Sequence, residues 1–176
     1  MMKRWILITF LITLLLALTM YCIPLYQDQQ VMTFPNWNKT HKLTKEIIES
    51  DAHNAFVEIY LNEEAKDAYI EVKSEFPVGS EVFKPLYADK KGEHFARLVI
   101  MVKMHKGYDS ANGDWWYGVY DESGTEMAYE GKIPECISCH VVAKETDYMF
   151  SRSVMMKLRG VDTNEYEVYD PDDEDY

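Results

Sequence analysis

The stretch Cys136-Ile137-Ser138-Cys139-His140 constrains this chain more than any other. It reads CxxCH, the attachment sequence of a c-type haem. Two thiols at this spacing can form thioether bonds to one macrocycle, and the adjacent imidazole can reach its iron from one face. The alternative is a redox or zinc CxxC with a bystander histidine. A thioredoxin-like motif needs a βαβ frame, and a structural zinc site needs a second ligand pair. Neither stands out along the chain. One covalent haem c is therefore expected, held by Cys136 and Cys139, with His140 as axial ligand of the iron.

The two ends bear on location. Lys3 and Arg4 precede an uncharged run from Trp5 to Tyr26. As a helix this run would cover about 33 Å, enough to cross a bilayer. Residues 1–26 are expected to be a transmembrane anchor or a signal peptide, with the basic flank inside and the domain outside. That places the domain on the extracytoplasmic face or in the periplasm, tied to the membrane through the N-terminal helix. Covalent haem attachment, as a family property, belongs to the same side. The third cysteine, Cys22, lies within the apolar run. The formal net charge of −12 argues against a nucleic-acid partner. Eight acids and no base fall between Asp162 and Tyr176, so 161–176 reads as a solvated, disordered acidic tail.

Between these ends the pattern is mixed. Residues 27–52 read as a linker with a short helix carrying Leu43, Ile47 and Ile48. Phe56 to Leu61 reads as a strand. Asn62 is a helix cap, and Ala65, Ala68, Tyr69 and Val72 follow at helical spacing. Pro77 and Gly79 interrupt, and the period then changes to two. Strands are expected over 80–89, 95–104, 115–120 and 125–129, with turns at Lys90-Lys91-Gly92 and Glu122-Ser123-Gly124. A short helix carries Cys139 and His140. The fold class is α+β, an antiparallel β-sheet haem domain over 53–160 with a few short helices. The motif falls after the last strand, whereas ordinary small cytochromes c are helical and carry it early.

The position opposite His140 decides the chemistry. An electron carrier fills both axial sites, usually with His and Met. Only 36 residues follow His140. Met149, Met155 and Met156 are the candidates there, and His41, His53, His94 and His105 are the others. None is singled out, and an open distal face is expected.

Several blocks in order resemble one family. These are His53-Asn54-Ala55-Phe56, Gly79-Ser80-Glu81-Val82-Phe83-Lys84, Val102-Lys103, Gly113-Asp114-Trp115-Trp116-Tyr117, and Asp147-Tyr148-Met149-Phe150-Ser151 behind the CxxCH. The set is similar to the cytochrome P-460 and cytochrome c′-beta group and covers about His53 to Ser153. The resemblance implies a β-sheet haem protein, commonly a homodimer, with an axial histidine and an open distal site. P-460 proteins oxidise hydroxylamine, with nitric oxide as a partner, and carry a bond from a lysine nitrogen to a haem meso carbon. The c′-beta proteins lack that bond and bind nitric oxide and carbon monoxide in an apolar pocket.

Lys84 falls where the resemblance puts the cross-linking lysine. On a strand it shares a face with Val82 and Leu86, so burial would depress its pKa and expose a nucleophilic amine. Pro85 departs from the acidic residue of the pattern. A distal proton acceptor is also required for the enzyme. Glu135 is one candidate, and Glu145 and Asp147 are others. An apolar distal site would use Phe56 or Phe83. Three readings stay open: a hydroxylamine or nitric oxide oxidoreductase, a nitric oxide and carbon monoxide binder, and a membrane-anchored electron-transfer cytochrome.

Overall fold

A computed structural model describes residues 32–34 and 36–160. Residues 32–34 fall in a first unit, Met1–Pro35, and carry no regular structure. The second unit begins at Asn36 and holds all the elements that follow.

Its strands are β1 (His41–Lys42), β2 (Ile48–Ser50), β3 (Ala55–Val57), β4 (Tyr60–Leu61), β5 (Glu81–Tyr87), β6 (Phe95–Lys103), β7 (Trp115–Tyr120) and β8 (Met127–Gly131). They form one antiparallel sheet in the order β1-β4-β5-β6-β7-β8, with β3 also on β5 and β2 on β3. Three short helices accompany it: α1 (Glu63–Ile70), α2 (Pro134–His140) and α3 (Ser151–Leu158). The α+β antiparallel class expected from the pattern is the class observed.

Asn62 ties the first helix to the sheet. Its Oδ1 accepts from Ala65 N–H at 3.0 Å, capping α1, and from Glu81 N–H at 2.9 Å at the start of β5. Its Nδ2 donates to Gly79 O at 2.7 Å. Ala65, Ala68 and Tyr69 then face inward. They pack with Ile59, Leu61, Phe76, Val82, Met101, Trp115, Tyr117 and Met149 in one core, against which Cys136 and Ile137 of α2 also lie. Asn62→Ala removes a cap and two strand contacts, so we expect a loss of about 2 kcal/mol in urea denaturation.

The expected single strand from 56 to 61 is two strands, and Pro85 is the reason. β3 and β4 pair with β5 in one continuous register, Val57 opposite Leu86 and Tyr60 opposite Phe83. Glu58 would pair with Pro85, and Glu58 N–H does donate to Pro85 O at 3.3 Å. Pro85 has no N–H to return, so the ladder opens there. The helix expected within 43–52 is corrected as well. Ile48 and Ser50 pair with Val57 and Ala55, and a 3-10 turn follows at Asp51–His53. Strand pairing outweighs the helical spacing of Leu43, Ile47 and Ile48.

The membrane expectations are also corrected. Among the described residues no helix is long and apolar enough to cross a membrane. The transmembrane or signal helix expected at 1–26 lies outside the described residues, as does the acidic tail at 161–176. Anchoring through an N-terminal helix, and a location defined by that anchor, therefore find no support in the fold.

Candidate functional site

The sheet register assembles one wall of a cleft from residues far apart in sequence. Lys84, Val99, Val119 and Tyr129 lie opposite one another across β5 to β8, and Val82, Met101 and Tyr117 form the adjacent row. Alternation along each strand places these rows on one face. His53 from the 3-10 turn, and Ile133, Glu135, Cys136 and His140 from α2, complete the lining, with Arg97 one pair beyond Lys84. The cleft has a volume of about 510 Å³.

Pro134 starts α2 at its first turn, where a missing N–H is harmless. Residues 136 to 140 then follow as one helical turn. His140 is buried, Cys136 half-buried and Cys139 exposed, and both thiols are free. The His140 ring sits edge-on to Tyr117, at 5.6 Å between centroids, and to Phe150, at 5.1 Å. Its Nδ1 lies 2.7 Å from Tyr148 O. A carbonyl can only accept, so Nδ1 carries the proton and Nε2 keeps its lone pair. Burial, and then the charge of Lys84, lower the His140 pKa to about 4, so the ring is neutral at pH 7.

Lys84 is 8% exposed and has no hydrogen-bond or ion-pair partner among the described residues. Burial lowers its pKa from 10.5 to about 8. Tyr117 Oη is likewise buried without a partner. His53, whose Nδ1 lies 2.9 Å from Ser50 Oγ, is held neutral by burial and then by Lys84, with a pKa near 4. Burial also raises the Cys136 thiol pKa, with Glu135 adding to the effect.

Other candidates fall elsewhere. Phe83 points to the opposite sheet face from Lys84, and Phe56 does not line the cleft. Glu145 is exposed beside Arg152, at 3.4 Å. Asp147 is buried in an ion pair with Lys103. Met149 and Met155 belong to the core rather than to the cleft. Of the alternative axial histidines only His53 reaches the cleft. Without the register Arg97 is not distinguishable from an ordinary strand residue, and Tyr117 stands out only as the last residue of the Gly113 to Tyr117 block. A basic residue inside the strongest apolar run was the one available signal for Arg97.

The expected haem c, with iron and metal binding, is corrected on one point. Among the described residues no group of three or more His, Cys, Asp or Glu side chains could hold a metal ion. The donors of the motif diverge, Cys139 outward and His140 inward, because neighbouring helix positions point about 100° apart. The chain supplies single donors to the cleft and no metal cage of its own.

The family model for Cytochrome P460 matches residues 33–151. No curated protein matches the chain.

Proposed function

This chain belongs to the cytochrome P460 family, and from that premise we propose that its cleft performs redox chemistry on a small nitrogen compound, hydroxylamine or nitric oxide. Cys136 and Cys139 would attach a covalently held prosthetic group, and His140 would ligate it. The observation that carries this reading is the neutral, buried His140. Its Nδ1–H is committed to Tyr148 O and its lone pair is free, one residue from an exposed thiol and at the edge of a mostly apolar cleft. The orphaned Tyr117 hydroxyl and the unpartnered Lys84 amine fit a ligand in that cleft. A group bound there supplies the electron acceptor for the oxidation.

The chain's own residues have separate parts. Lys84 offers a nucleophilic amine within the cleft, the side chain for a further covalent bond beside those of the two cysteines. Glu135 lines the cleft while remaining exposed, so a proton that it accepts can pass to water. Val82, Val99, Ile100, Met101 and Val119 keep the opposite wall dry. That apolar wall favours a second reading, the binding of nitric oxide without turnover.

Mass analysis of the peptide spanning Cys136 to His140, from full-length protein made in a host that attaches c-type groups, tests the reading. We expect an adduct on both cysteines, absent from the Cys136→Ser/Cys139→Ser variant. Two unmodified thiols in the wild-type peptide would sink the proposal. Electron transfer from hydroxylamine to an artificial acceptor then separates turnover from binding alone.

A further inference from the structure

Asp147 is buried and Lys103 half-buried, and neither lines the cleft. Lys103 Nζ meets Asp147 Oδ2 at 2.6 Å and Oδ1 at 2.7 Å, with side chains 11% and 8% exposed. The ammonium also donates to Gly113 O at 2.8 Å and lies 5.1 Å from the Trp115 ring centroid. Asp147 is gripped at both ends. Its Oδ2 accepts Phe76 N–H at 2.8 Å, and its main-chain oxygen accepts Trp115 Nε1–H at 2.7 Å.

These contacts converge on an unusual piece of backbone. Asp147 and Tyr148 have φ of +55° and +63°, consecutive left-handed residues of which neither is glycine. Tyrosine in particular disfavours that region, so the conformation needs to be held from outside. The Tyr148 ring is pinned by its hydroxyl on Ala111 O at 3.0 Å. It lies where a side chain at 113 would be, since a Cβ there would come within 2.4 Å of it. The carbonyl that leaves this turn is the one that accepts His140 Nδ1–H.

A buried ion pair is a poor device for stability alone, because desolvation offsets most of the attraction. It is a good device for fixing one geometry. We propose that Lys103 and Asp147 are positioning residues for His140: the pair locks the left-handed Asp147–Tyr148 turn, which aims the Tyr148 carbonyl at Nδ1 and holds the ring as a single tautomer. The consequence for catalysis rests on the proposed role of His140. The positioning itself can be read from the ring without any attached group, so the two can fail separately.

The test uses the full chain with the Cys136→Ser/Cys139→Ser background, labelled with nitrogen-15 at histidine. The background shows one Nδ1–H tautomer for His140. Asp147→Asn and Lys103→Met should lose that signature and show a tautomer mixture. Leu98→Ala, a buried truncation outside the core cluster that holds Tyr148, should keep it despite lower global stability. Trp115→Phe removes the bond to the Asp147 carbonyl and part of the ring beside Lys103 but keeps both charges, and serves if the charge variants do not fold; it should show a smaller shift of the same kind. A single unchanged tautomer in the folded Asp147→Asn or Trp115→Phe protein would overturn the proposal. So would an equal mixture in Leu98→Ala.

Discussion

Asp147→Asn should lower global stability by about 3–5 kcal/mol, the typical cost of removing one partner of a buried ion pair. The substitution keeps the shape of the side chain and removes its charge. Lys103 then stays in a site that is 11% exposed, facing the Gly113 carbonyl, the Trp115 ring and, beyond ion-pair range, the Asp114 carboxylate. The amide can still offer one oxygen to Phe76 N–H, so the loss is electrostatic rather than a missing acceptor for that buried N–H. Urea denaturation should show a lower midpoint with an unchanged slope. Lys103→Met tests the same pair from the other side, since it removes the buried cation and leaves the carboxylate with Phe76 N–H. If the pair dominates, Lys103→Met/Asp147→Asn should lose less than the sum of the two single changes. Strict additivity would mean that the two residues act through separate contacts, and the 3–5 kcal/mol would need another source.

The parts of this site that were legible in the sequence are local ones. Cys136, Cys139 and His140 sit on one turn, so their spacing alone relates them. The Asn62 cap and the turn at Lys90-Lys91-Gly92 depend on a few adjacent residues in the same way. The strands were visible because β6 and β7 are apolar or aromatic over most of their length. What stayed hidden depends on pairing between distant strands. Whether Lys84 or Phe83 faces α2 is a matter of register, and the fully apolar neighbourhood of β5 gives no alternation from which to choose. Arg97 and Tyr117 join the cleft only because β6 and β7 pair as they do. The link from Lys103 to Asp147 spans 44 residues and reflects packing of the motif-bearing segment on the sheet. Val154, Met155 and Leu158 carry the apolar stripe of α3, but eight residues make only about two turns, too few for that period to stand out. Pro85 was visible as a departure, but its effect falls on the neighbouring strand, where it divides β3 from β4.

Lys84→Met should raise the stability of the chain without an attached group by about 3 kcal/mol at pH 7, and the gain should vanish in alkali. The folded-state pKa of Lys84 is about 8, against 10.5 when solvated. Between these values the unfolded chain binds a proton that the folded chain does not. Wild-type stability therefore falls as pH drops from 10.5 towards 8, and below 8 both states are protonated and the full penalty stands. Methionine has similar length and no charge, so its gain should be constant at neutral pH, shrink above 8 and disappear near 10.5. His140 and His53 act in a separate window. Their pKa values near 4, against 6.5, make the fold lose stability as pH falls from 6.5 to 4. Urea midpoints from pH 4 to 10.5 for wild type and Lys84→Met resolve both limbs. A Lys84→Met protein that is less stable than wild type at pH 7 would show that the ammonium has a partner in solution. The amine would then lack the free lone pair that a covalent role at this position requires. The expected opposite result leaves a side chain that costs the fold stability and faces the cleft, the arrangement in which binding and chemistry rather than folding account for a lysine.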